Sequence, residues 1–103
     1  MTAQDIVHRL EARGETLAVA ESLTGGALAS AIVDVPGAST VFRGAVVAYQ
    51  LPVKTSLLNV PAALLEEHGA VSAPVAEAMA RGAQEALEAA WAVATTGVAG
   101  PDP

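Results

Sequence analysis

The sequence predicts an α/β domain built on a mostly parallel sheet, and three observations carry that prediction. Short Val- and Ala-rich runs at Leu17 to Ala20, Phe42 to Tyr49 and from Trp91 onward have the length and composition of buried strands. Segments with apolar residues at helical spacing separate them, so consecutive strands need crossovers and are expected to run parallel with right-handed connections. Caps and breakers bound nearly every segment, which gives the order αβαβαααβ.

Residues 3 to 13 read as an amphipathic helix. Thr2 is its cap, Asp5 suits its first turn, Ile6, Val7 and Leu10 share a face, and Gly14 stops it. The first strand follows and breaks into Glu21-Ser22-Leu23-Thr24-Gly25-Gly26, a strand-to-helix turn. From Thr24 onward Leu28, Ile32 and Val35 recur at helical spacing until Pro36-Gly37 ends the ladder. After the second strand, Pro52 and Pro61 are placed to open two short helices, the latter running to His68 and stopped by Gly69. Ser72 caps a long helix with Val75, Met79, Ala83, Ala86, Leu87 and Ala90 on one face, and the third strand ends in a second turn at Thr96-Gly97. The 103 residues support one domain, without repeats, linkers or low-complexity tracts.

Composition narrows the function. A net charge of −6, with five scattered cations at Arg9, Arg13, Arg43, Lys54 and Arg81, argues against nonspecific nucleic-acid binding and against a basic membrane-binding stripe. The absence of cysteine removes disulfide and thiolate chemistry and is compatible with a reducing cytoplasm. No signal-peptide pattern opens the chain and no apolar run is long enough to span a bilayer, so a cytoplasmic protein is expected. The two histidines, His8 and His68, lie on helices far apart in sequence, which leaves a Ser-His-Asp triad and a metal site without support.

In open parallel sheets ligands gather beyond the carboxyl ends of the strands. That rule brings three segments to one rim: residues 21 to 26, Tyr49 with Lys54, and Thr96 with Gly97. The first turn offers backbone N–H groups, a helix N-terminus and Gly25-Gly26, so a phosphate or carboxylate fits there; capping by Ser22 or Thr24 alone is the plainer alternative. The spacing matches neither a Walker loop nor a G-x-G-x-x-G fingerprint. Lys54 follows Tyr49 across a strand-to-helix corner. Desolvation there would lower its pKa and make the neutral amine a general base, with Tyr49 as a proton relay, whereas a solvated surface lysine is the alternative. Ser22 and Ser39 are both candidate nucleophiles, and spacing does not choose between them.

These motifs resemble the C-terminal domain of the competence/damage-inducible CinA proteins, which includes nicotinamide mononucleotide deamidases. The resemblance rests on residues 20–26, Asp34-Val35-Pro36-Gly37-Ala38-Ser39, Gly44 to Tyr49 with Lys54, Leu57-Leu58, His68 to Ser72 and Thr96-Gly97-Val98-Ala99-Gly100-Pro101, all in the family's order. It implies a three-layer α/β/α sandwich and hydrolysis of the carboxamide of nicotinamide mononucleotide to nicotinate mononucleotide and ammonia, with no cofactor and no metal. It also implies a homodimer or higher homo-oligomer. By motif position Ser39 would be the nucleophile, with Tyr49 and Lys54 handling its proton. Ser22, Thr24, Gly25, Gly26, Thr96 and Gly97 would bind substrate.

Two departures accompany the resemblance. Leu23 stands where many members have Cys, and Leu51-Pro52 stand where many have Asn-Glu. The family domain also continues past the Thr96-to-Pro101 turn into further strands and a helix, so the chain is expected to lack the last elements of the domain, with compromised activity or compensating oligomerisation. A non-catalytic nucleotide-binding or assembly module is the competing expectation.

Overall fold

The computed structural model describes residues 1–97. Its elements are α1 (Ala3–Arg13), β1 (Leu17–Glu21), α2 (Ala27–Val33), a 3₁₀ turn (Ala38–Thr40), β2 (Phe42–Val47), α3 (Leu51–Leu58), α4 (Ala62–His68), α5 (Ala73–Leu87) and β3 (Trp91–Ala94). The three strands form one parallel sheet in the order β2-β1-β3, with β1 in the centre. Helices cover both faces, so the architecture is the α/β/α sandwich.

Local chemistry accounts for the boundaries. Thr2 and Asp5 form a reciprocal capping box on α1, and Gly14 ends it in the left-handed conformation. Ser72 caps α5 through the N–H of Val75. The middle helix α2 starts later than its apolar spacing suggests, at Ala27. Gly25 and Gly26 adopt φ of 61° and 110°, which a right-handed helix does not contain, so Thr24 to Gly26 remain a turn.

Alternation along β1 divides the core in two. Leu17 and Val19 point to the α1/α2 side and pack with Val7, Leu10, Ile32, Val35 and Val41. Ala18 and Ala20 point to the other side and pack with Leu58, Val60, Val75, Met79 and Ala83 of the α3–α5 layer. The small alanines let α5 lie close against β1 and β3. Its face is narrower than the spacing predicts, because Ala86 and Ala90 are exposed.

The second strand differs from the expected buried strand. Its residues alternate between half-buried and exposed, since β2 is an edge of this sheet and Ala45 and Val47 face outward. The sequence pattern Val46-Val47 does not distinguish an edge from a centre; only the strand order does. Among the described residues no helix is long and apolar enough to cross a membrane.

Candidate functional site

All three strands point the same way, and their carboxyl ends bring buried polar side chains together. Among the described residues Glu21, Ser22 and Lys54 are the buried polar or charged ones, and each lies at that rim. Lys54 sits in the first turns of α3, in phase with Leu58 one turn later, so the helix's inward face carries an amine where a core residue would stand. Its side chain is 1% exposed.

The amine has three partners. Nζ lies 3.0 Å from Ser22 Oγ and donates to the carbonyl oxygens of Ala48 and Tyr49, each at 2.9 Å. As an ammonium the amine donates to all three oxygens; once neutral it has two N–H bonds for the carbonyls and a lone pair to turn to the serine O–H. Among the described residues no carboxylate partners the amine. Burial therefore holds the Lys54 pKa below that of an ordinary lysine.

The neighbouring Glu21 has a different environment. Its side chain is 0% exposed, and its carboxylate accepts the N–H groups of Gly26 (3.2 Å), Leu28 (3.0 Å) and Ala29 (2.9 Å) at the start of α2. Burial alone would raise its pKa, but the Thr24 hydroxyl and the Ala29, Leu28 and Gly26 amides together hold it below the usual glutamate value. The anion that the Gly25-Gly26 turn was expected to receive is thus supplied by the chain itself. A substrate phosphate finds these three amides already occupied.

This carboxylate gives the stability a defined acid dependence. With the folded pKa depressed, its contribution is complete above the ordinary glutamate value of about 4.3 and is lost as pH falls from there through the folded value. In urea unfolding, Glu21→Gln is expected to cost roughly 2 kcal/mol at pH 7, the scale of a charge-assisted hydrogen bond, and to flatten the stability profile below about pH 4.3. An unchanged acid slope would remove Glu21 as its source.

The remaining expected residues divide between the rim and elsewhere. Thr24 is at the rim, where its hydroxyl lies 3.0 Å from that of Thr95. Gly97 passes beneath Leu23: a Cβ built on it would lie 2.2 Å from Leu23 Cδ2. Thr96 turns away, its hydroxyl donating to the Ala70 carbonyl at 2.7 Å, which ties the end of β3 to the loop before α5. Tyr49 reaches Lys54 through its main-chain carbonyl, and its side chain is 62% exposed. Thr95, which no motif singled out, is the hydroxyl that meets Thr24; as the residue directly after β3 it could have been placed there by strand alternation. The turn predicted through Val98 to Pro101 lies outside the described residues.

Ser39 is not brought to this rim. It is exposed in the 3₁₀ turn before β2, and Val41 at the end of that turn accepts the N–H of Leu17 at the start of β1. That places Ser39 at the amino end of a parallel sheet whose carboxyl end holds Lys54, so within one chain the amine meets Ser22 instead. The residues around Ser39, including Val33, Val35, Pro36 and Phe42, form a shallow, mostly apolar hollow.

Fold and rim together define a parallel α/β domain with a buried serine–lysine pair beyond the carboxyl ends of its strands. Comparison with known proteins is consistent with that class. The CinA C-terminal domain matches residues 1–103, and the chain belongs to that family. CinA-like proteins from Synechococcus sp. (strain CC9902) and Anaeromyxobacter sp. (strain Fw109-5) are 56% and 55% identical over 96 residues, covering 93% of this chain and 23% of each relative. The chain thus spans about a quarter of the length of these relatives. Among solved structures, the competence/damage inducible protein CihA from Agrobacterium tumefaciens superposes with a TM-score of 0.92 at 38% identity, covering 98% of this chain and 61% of that one. The competence-damaged protein (CinA) superfamily protein from Escherichia coli gives 0.94 at 36% identity, with 97% and 58% covered.

Proposed function

We propose that this domain is a serine–lysine amidohydrolase, with Ser22 as nucleophile and Lys54 as its general base, acting on the carboxamide of nicotinamide mononucleotide. The single observation that carries the reading is the 3.0 Å contact between Ser22 Oγ and a buried lysine amine that has no counter-ion among the described residues. A serine hydroxyl is a poor nucleophile until a neighbouring base takes its proton, and a desolvated lysine is one of the few side chains that can do so near neutral pH.

As Ser22 Oγ adds to the amide carbon, its proton passes to the lone pair of Lys54 Nζ. The resulting ammonium donates its third hydrogen to the departing nitrogen when the C–N bond breaks, and ammonia leaves with an ester on Ser22. Water then attacks that ester, giving its proton to Lys54, and the serine is released as the second proton transfer returns it to Oγ. Among the described residues, the N–H groups of Leu23 and Thr24, next along the turn, donate to no protein acceptor. They are available to the oxyanion that forms beside Ser22.

The identity of the substrate rests on the family resemblance, and the position of the nucleophile rests on the rim geometry. Incubation with nicotinamide mononucleotide, with ammonia and nicotinate mononucleotide measured, tests both. Ser22→Ala is expected to lose turnover by about 1,000-fold or more, whereas Ser39→Ala stays within about two-fold of the unaltered chain. Loss in Ser39→Ala with retention in Ser22→Ala would reverse the assignment. Binding without turnover in the unaltered chain would favour a nucleotide-binding module.

A further inference from the structure

We propose that Glu21 is a positioning residue for the Ser22 nucleophile: its buried carboxylate closes the Ser22–Gly26 turn into a ring and fixes the serine against Lys54. The proposal rests on the reading of Ser22 as nucleophile and extends it to a side chain that touches neither substrate nor the lysine.

The argument begins with connectivity. Ser22 is bonded to Glu21 through the chain, and Gly26, at the far end of the turn, donates its N–H to the Glu21 carboxylate. Inside the ring the N–H of Gly25 returns to the Ser22 carbonyl at 3.1 Å. Gly25 and Gly26 both have positive φ and no Cβ, so without the clamp this turn has the backbone freedom of two consecutive glycines. The same carboxylate accepts the N–H groups of Leu28 and Ala29, which fastens the ring to α2.

Glu21 also reaches the other half of the site. Its carbonyl accepts the N–H of Ala48 at 2.8 Å, and the Ala48 carbonyl is one of the two that hold the Lys54 amine. One residue thus ties the serine-bearing turn through its side chain and the lysine-bearing corner through its main chain. Cutting the side-chain tie alone leaves the lysine cup in place and frees the serine. A displacement of about 1 Å in a reacting atom costs on the order of 100-fold in rate.

Neutral replacement gives a specific pattern. Glu21→Gln is expected to lower kcat by roughly 10- to 100-fold with KM within about three-fold, because the substrate pocket remains while the attacking oxygen is misplaced. The pH midpoint of kcat/KM, set by Lys54, is expected to stay unchanged. Glu21→Ala leaves a space with three amide hydrogens pointing into it, so formate at tens of millimolar is expected to recover several-fold of the lost rate while chloride at equal ionic strength does not.

The experiment separates this proposal from the one beneath it by labelling Ser22 with a fluorophosphonate and following adduct mass with time. No adduct on Ser22 of the unaltered chain overturns the nucleophile reading itself. An adduct on the unaltered chain, with at least ten-fold slower labelling in Glu21→Gln and formate-dependent recovery in Glu21→Ala, supports the clamp. Equal labelling rates in folded Glu21→Gln, or a proportional loss of kcat and substrate affinity, overturn it. Should Glu21→Ala not fold, the Glu21→Gln labelling rate, taken below its unfolding temperature, decides the matter alone.

Discussion

Replacing Lys54 with methionine is expected to lower carboxamide turnover on the order of 1,000-fold while far-UV circular dichroism remains that of the folded domain. Methionine matches the length of the lysine stem and fills the same inward position on α3, but it supplies no proton acceptor for Ser22 and no donors for the Ala48 and Tyr49 carbonyls. The unaltered chain is expected to show kcat/KM rising with pH through a midpoint below that of an ordinary lysine, since the amine acts only when neutral and burial favours its neutral form. A pH-independent kcat/KM, or substantial turnover in Lys54→Met, would remove the lysine from the mechanism.

The same buried amine has a signature in stability. Between its folded pKa and the ordinary value of about 10.4 the unfolded chain binds a proton that the folded chain does not, so stability rises with pH across that window. Urea unfolding of the unaltered chain at two alkaline pH values should show that gain, and Lys54→Met should show less of it. The linkage separates a shifted lysine from a lysine that is merely absent from solvent.

Gly82→Ala is expected to destabilise the domain by about 2–3 kcal/mol, lowering Tm by roughly 10–20 °C. Helix propensity alone predicts the opposite sign, because alanine in a helix interior is favoured over glycine by about 1 kcal/mol. The tertiary contact decides. A Cβ on Gly82 would stand 1.9 Å from the Leu58 carbonyl oxygen and 2.6 Å from its carbon, both backbone atoms at the end of α3 that cannot rotate aside. Relief requires α3 to lift away from α5, and α3 carries Lys54. Thermal melts check the stability, and a Tm at or above that of the unaltered chain would show that the two helices separate freely. Turnover in Gly82→Ala below its melting point is expected to fall as well, through displacement of the amine.

Several parts of this architecture are legible without coordinates because they are local. The α1 capping box, the Gly14 stop and the Ser72 cap are matters of a few consecutive residues, and each appears where those residues require it. The helices between strands dictate parallel pairing, and parallel pairing puts residues 21–26 and the corner after Tyr49 at one rim. Lys54 could also be noticed at this level, since it occupies the inward phase of a short helix with Leu58.

Short-range patterns in the chain establish the order of elements, their caps, the parallel sheet and the presence of serine, lysine and glycine turns at its carboxyl end, all consequences of spacing over one or two turns. Long-range packing settles which serine meets Lys54, that Glu21 fills the helix end where an external anion was expected, and that Thr96 bonds Ala70 while Thr95 meets Thr24. Those outcomes depend on contacts between residues far apart in the chain, and on which end of a strand a loop occupies. Neither composition nor periodicity carries that information, whereas packing around a central strand fixes which distant residues meet.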